Sequence, residues 1–281
     1  MMGLLTQALI WLNVLANAIG KLVFAPVAMM PGWLSNTIIS AIVGVLMLLI
    51  FKYTSNQNAI GKVGDSFKAN MLALKLFKDS MAVTLQAQGQ LFKGALLKLV
   101  FAIQPMLVVI VPVCLIITQM GLLYQARPLL PQEEAIIAMQ LSGELNDPWP
   151  QVSIVPNPAF DVSFDQTKAF KNRQIYWRIK AQEPGLHDLV FKVGQQEVKK
   201  ELVIGDGFER VSVKRPGRKF GDVLLNPWEK PFGSDSIVQA ISIEYPDRLS
   251  KTSGTDWWII YFFFVSMVFA FIFKPFLNVK I

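Results

Sequence analysis

The chain has one cysteine, Cys114, and one histidine, His187, in 281 residues. A lone cysteine excludes an intramolecular disulfide and leaves the redox compartment unread. A lone histidine leaves a Ser-His-Asp or Cys-His arrangement no second site to draw on, and a zinc site short of ligands. The carboxylates of the middle segment are scattered among lysines and arginines without an isolated pair, and Gly205-Asp206-Gly207 is a turn signal, not a phosphate loop. These shortages argue against an enzyme, a metal site and a bound cofactor. His187 sits beside an expected strand and reads as a structural or surface residue.

Charge is missing from long apolar stretches, among them residues 33–51, 99–124 and 257–273, the three expected to span. Runs of this kind need a bilayer, whose hydrocarbon core takes about 20 helical residues. Hydrophobic residues make up 53% of the chain, concentrated in the first 124 positions and the last 25. The net charge of +7 would suggest nucleic acid if it covered one soluble surface. Instead, seven lysines from Lys52 to Lys98 face only Asp65 and Asp79, while 125–256 is nearly balanced. A basic segment between apolar runs is the positive-inside pattern, and DNA is not expected as a partner.

Taken in order, residues 1–24 of the N-terminal segment 1–32 lack a basic start and a convincing small-residue cleavage site, so a cleaved signal peptide is not expected. Thr6, Asn13, Asn17 and Lys21 fall on one helical face, which fits an interfacial helix lying flat on the membrane; a fourth span is the alternative. Pro26 and Pro31-Gly32 then bend the chain. Residues 33–52 form the first expected span, with Trp33 and Tyr53 as interfacial anchors and Lys52 on the cytosolic side, which puts the N-terminus outside. Residues 53–98 contain no proline and carry Ile60, Val63, Phe67, Met71 and Leu74 at helical spacing, with a break at Lys78-Asp79-Ser80 where Asp79 or Ser80 would cap a second helix. The expectation is a cytosolic basic helical hairpin; a solvated loop joining two spans is the plainer reading. Met71 and Met81 would offer hydrophobic clients an adaptable surface or would simply fill the hairpin core.

The second expected span, 99–124, contains Pro105 and Pro112, which predict kinks. Gln104, Thr118 and Gln119 are its polar groups, readable as helix-to-helix hydrogen-bonding groups or as the lining of a polar path. Beyond Arg127-Pro128 the period becomes two. Residues 135–141, 152–155, 159–164, 174–179, 189–193, 197–204, 211–213 and 237–243 read as strands, so 125–255 is expected to be an extracytoplasmic all-β, immunoglobulin-like sandwich without a Cys-Trp-Cys core. The third expected span, 256–274, opens on Trp257-Trp258, has Ser266 as its one clearly polar residue and ends on Lys274, leaving 275–281 as a cytosolic tail.

This order, with Phe51-Lys52-Tyr53, the hairpin around Ala73-Leu74-Lys75-Leu76-Phe77-Lys78-Asp79, and Ile103-Gln104-Pro105 through Gln119-Met120-Gly121, resembles the YidC/Oxa/Alb insertase superfamily. The closest likeness is to its minimal three-span branch, which includes archaeal YidC-like proteins, the eukaryotic tail-anchor receptor and ER membrane complex subunits. The resemblance implies an insertase or chaperone in a bacterial inner membrane, N-out and C-in. It further implies a hairpin that recruits ribosome or client, and a polar groove open to the cytosol for hydrophobic client segments. Here the groove would use Ser40, Gln104 and Ser266, with Lys52 and Lys98 at its mouth. Contacts to client or ribosome would fall to Lys62, Lys68, Met71, Lys75, Lys78 and Met81. Two features depart from the family: 33–51 holds no arginine, and a domain of about 130 residues stands where minimal members have a short loop. The alternative class is a noncatalytic adaptor or structural subunit of an envelope complex, binding an exported partner through the sandwich. A sensor passing a signal from sandwich to hairpin is a third reading.

Overall fold

The computed structural model describes residues 2–28, 30–77, 80–144, 147–249 and 257–280. Lys78 and Asp79 of the expected hairpin turn, and the expected junction at 250–256, lie outside the described residues. The chain forms two compact units, one of residues 1–35 with 115–258 and one of 36–114 with 259–281.

Helices α1 (Met2–Ala28), α2 (Gly32–Thr54), α3 (Gln57–Leu76) and α4 (Met81–Tyr124) come first. Asn56 starts α3 by accepting a hydrogen bond from the Ala59 amide, the usual way to satisfy an orphan donor at a helix start. Helix α4 runs 44 residues without a break, so the second arm of the hairpin and the second apolar run are one element. The helix passes through Pro105 and Pro112. The division expected at residue 98 followed a change in polarity, and Lys98 carries no stop signal of glycine or proline.

Among the described residues, three helices are long and apolar enough to cross a membrane, over Gly3–Leu22, Gly32–Thr54 and Met81–Tyr124, which is compatible with an integral membrane protein. This set differs from the expected one. The N-terminal helix meets the length, whereas α6 (Trp258–Phe273) has 16 residues, about 24 Å of helix. A typical hydrocarbon core is about 30 Å thick. Backbone bonds from Lys274 to Ala270 and from Leu277 to Phe273 carry its turns slightly further.

In the second unit, Val63 and Phe67 of α3 approach Gly94 of α4, so the two helices fold back on each other. Ile60 and Ala87 are buried there. A side chain at Gly44 on α2 would collide with the backbone carbonyl of Ser266 on α6, so glycine permits that approach.

Among its described residues the first unit holds eight strands in two antiparallel sheets, one ordered β3-β4-β1-β8-β7 and one β2-β5-β6. Their ranges are β1 (Glu134–Leu141), β2 (Val152–Ile154), β3 (Phe160–Ala169), β4 (Gln174–Ala181), β5 (Gly185–Val193), β6 (Gln196–Ile204), β7 (Lys214–Arg215) and β8 (Val238–Ile243). Seven begin within a few residues of the expected strands; the strand expected at 211–213 forms instead at Lys214–Arg215. The alternation is physical. Along β1 the odd residues Ala135, Ile137, Met139 and Leu141 are buried, and β4 buries Ile175, Trp177, Ile179 and Ala181. Leu189, Phe191 and Val193 of β5 come in from the second sheet to the same core. Gly194 opens the two-residue β5–β6 turn at φ 58°, a left-handed conformation that glycine takes without steric cost. A short helix, α5 (Phe220–Leu225), interrupts the strands.

Gly44→Ala should lower the thermal stability of the detergent-solubilised chain by about 1–3 kcal/mol. Gly89→Ala is the control, because nothing lies within 4 Å of a side chain placed there. Equal melting of the two variants would show that α2 and α6 do not depend on contact at Gly44.

Candidate functional site

Several hydrogen bonds between distant segments lie along α1. The face that carries Thr6, Asn13 and Asn17 is turned toward protein: Thr6 and Asn13 are buried. Asn13 Nδ2 donates to the Val223 carbonyl at 2.8 Å, across 210 positions of sequence. Asn17 Nδ2 donates to the carbonyls of Pro227 at 2.8 Å and Trp228 at 3.2 Å. Gln119 on α4 donates to Asn17 Oδ1 at 2.7 Å, and Arg210 donates to the Gly20 carbonyl. The Asn13 bond satisfies a buried polar group, where leaving it unpaired costs about 1–3 kcal/mol, and the others satisfy partly buried ones. Asn13 Oδ1 and Gln119 Oε1 are buried acceptors without a hydrogen bond.

Trp228 is the hub of this contact. Lys21 and Arg210 lie over its ring at 5.1 and 5.2 Å, and its indole N–H donates to Glu201 Oε1 at 2.9 Å. Behind it, Lys200 is fully buried, donating to the Ser212 carbonyl at 2.6 Å, to the Glu201 carbonyl at 3.1 Å and to Glu229 Oε1. Glu229 also accepts from the Ser212 hydroxyl and the Glu201 amide. Burial pushes the Lys200 ammonium below the ordinary lysine range against the pull of Glu229, and it raises the Glu201 carboxyl. Lys200 is in phase with the buried Val198, Leu202 and Ile204 on β6, and that in-facing cation is the signal a period-two reading passes over. A cleft of about 410 Å³ runs along this contact, bounded by Ile10, Trp11 and Val14 of α1 and by Pro227, Trp228 and Pro231.

The residues expected to line a groove are placed differently. Ser40 is buried and its hydroxyl donates to the Asn36 carbonyl at 2.6 Å; the buried Ser266 donates to Phe263 O at 3.0 Å. Each hydroxyl therefore closes on its own helix. Gln104 is exposed on α4. Lys52 lies over the Tyr53 ring at 5.9 Å, and Lys98 lies 5.9 Å over Phe67, bridging α4 and α3. On the hairpin, Lys62, Lys68 and Lys75 are exposed, and Lys68 approaches Asp65 at 3.9 Å. Met71 and Met81 are exposed, Met81 at 78%, so neither fills the hairpin core. Leu72, Leu76, Phe77 and Leu85, at the end of α3 and the start of α4, are exposed as well. No group of three or more metal-ligating side chains occurs among the described residues. His187 is half-buried and its Nε2 lies 2.9 Å from the Glu183 carbonyl.

No family model, curated protein or solved structure matches this chain.

Asn17→Ala should speed amide hydrogen exchange in α1 while exchange in β1 and β4 stays unchanged, because it removes two donations and the acceptor of Gln119. Unchanged exchange throughout α1 would mean that its polar face does not hold it.

Proposed function

We propose that this chain is a membrane protein insertase or chaperone of the YidC type, a member of the minimal three-span branch of that superfamily. One observation carries the proposal most directly. The end of α3 and the start of α4 expose Met71, Leu72, Leu76, Phe77, Met81 and Leu85, although the lysines of the hairpin make it too polar to enter hydrocarbon. Large apolar patches on a polar element mark sites that meet another apolar surface, and methionines adapt to partners of varied shape. The occupant in this reading is a hydrophobic client segment, with the exposed lysines facing a ribosome or lipid headgroups. Client segments would then pass along α4, whose residues Ile103, Met106, Leu107 and Ile110 are exposed beside Gln104.

In this reading α2, α4 and α6 span a bacterial inner membrane with the N-terminus outside, and α1 lies in the outer interface. The β domain stands on the outer side as an immunoglobulin-like sandwich in architecture, not in strand order. Its β1 is central in the five-stranded sheet, whereas an immunoglobulin domain has its first strand at an edge. An exported protein partner of this domain is part of the proposal.

A noncatalytic adaptor has its own support. Gly44 brings α2 close to α6 at Ser266, and the hydroxyls of Ser40 and Ser266 are taken up by their own helices where a polar slot would have to open. Photocrosslinking from Met71 and Gln104 separates the readings, since an insertase captures nascent chains and an adaptor captures only stable partners.

Liposomes containing the chain should take up a short-tailed client faster than empty liposomes, and Met71→Asp with Met81→Asp should remove most of that gain. Uptake equal to that of empty liposomes would refute insertion.

A further inference from the structure

A second cleft, of about 440 Å³, opens where Gln7 and Ile10 of α1 meet the β domain, beside Arg215, Arg218, Lys230 and Phe232. Its lining holds three cations and no carboxylate. Glu229, next to Lys230 in the chain, is occupied by Lys200, Ser212 and the Glu201 amide. Two of the cations are held in place. Arg215 donates to the Lys230 and Lys199 carbonyls with its guanidinium 4.2 Å from the Phe232 ring centre, and Arg218 donates to Gln7 Oε1 at 2.6 Å. An arginine keeps further N–H groups after one or two such bonds, set in a fork that suits a phosphate.

The apolar part of α1 begins at the edge of this cleft. Leu4 and Trp11 stand about one helical turn on either side of Gln7 and are 78% and 68% exposed, and Leu5, Leu15 and Leu22 extend the exposed apolar surface. A cationic cleft flanked by uncovered leucine and tryptophan has the two halves of phospholipid chemistry, an anionic headgroup and acyl chains. A free phosphate would use only the first half.

We infer that this cleft binds the headgroup of an anionic phospholipid, with the acyl chains lying along Leu4 and Trp11. Arg218 and Lys230 contact the phosphate, and Arg215 shapes the floor. The inference rests on the membrane placement of the chain and not on client insertion.

The test uses the full chain, purified in detergent and delipidated, then offered phosphatidylglycerol or phosphatidylcholine and read by native mass spectrometry without any client. The wild type should retain phosphatidylglycerol over phosphatidylcholine. The exposed pair R218Q/K230Q should lower that retention about tenfold, R218K/K230R should restore it, and K62Q/K68Q on α3 should leave it unchanged. Equal retention by R218Q/K230Q and wild type overturns the inference. So does complete displacement by inorganic phosphate, which would identify a site for a soluble anion. Because no client is present, loss of insertion in liposomes and loss of lipid retention are separate results.

Discussion

Asparagine and glutamine amides on otherwise apolar helices tie the N-terminal helix to residues more than 200 positions later. Asn13 and Asn17 reach the carbonyls of Val223, Pro227 and Trp228, and Gln119 closes the set from α4. Neutral amides suit this task because they pair with backbone carbonyls without the desolvation cost of a charge. The charged members, Lys21 and Arg210, approach Trp228 through its ring face, where a cation gains attraction without a buried counter-ion. The first compact unit therefore includes both the start of the chain and its β domain.

Trp228 links that contact to the interior of the domain. Its indole bonds Glu201 on β6, whose neighbour Lys200 lies wholly inside with Glu229. A buried ion pair of this kind gives little net stability, because desolvation consumes most of the attraction, but loss of one partner strands the other. It thereby fixes the loop carrying 226–231 to one geometry, and that loop forms one wall of both clefts beside α1.

Much of the β domain was legible in the sequence. Ala135, Ile137, Met139 and Leu141 alternate with polar or exposed positions, and a sheet with one face on a core requires that alternation. Lys200 was not legible, because it occupies an apolar phase and its partner Glu229 is 29 residues away. Helix α5 was missed because six residues are too few to establish a period. The hairpin was readable in its lysines and in Ile60, Val63 and Phe67, yet the exposure of Met71 and Met81 was not, since helical spacing does not say which apolar residues find a partner.

Sequence alone determined the local features. Charge-free runs long enough for hydrocarbon, period-two strands and a lysine-rich segment between apolar helices all follow from residue type and spacing. Tertiary structure decided which surfaces met. The spacing of Thr6, Asn13 and Asn17 marked one polar face, and water, headgroups or protein would satisfy it equally well by composition. Hydrogen bonding to Val223, Pro227 and Trp228 settled the partner, because pairing between distant segments depends on the folded positions of backbone carbonyls, which no local pattern encodes. In the same way the hydroxyls of Ser40 and Ser266 were visible as polar groups in apolar runs. Only the folded helices turned them onto their own backbones and left Gln104 exposed.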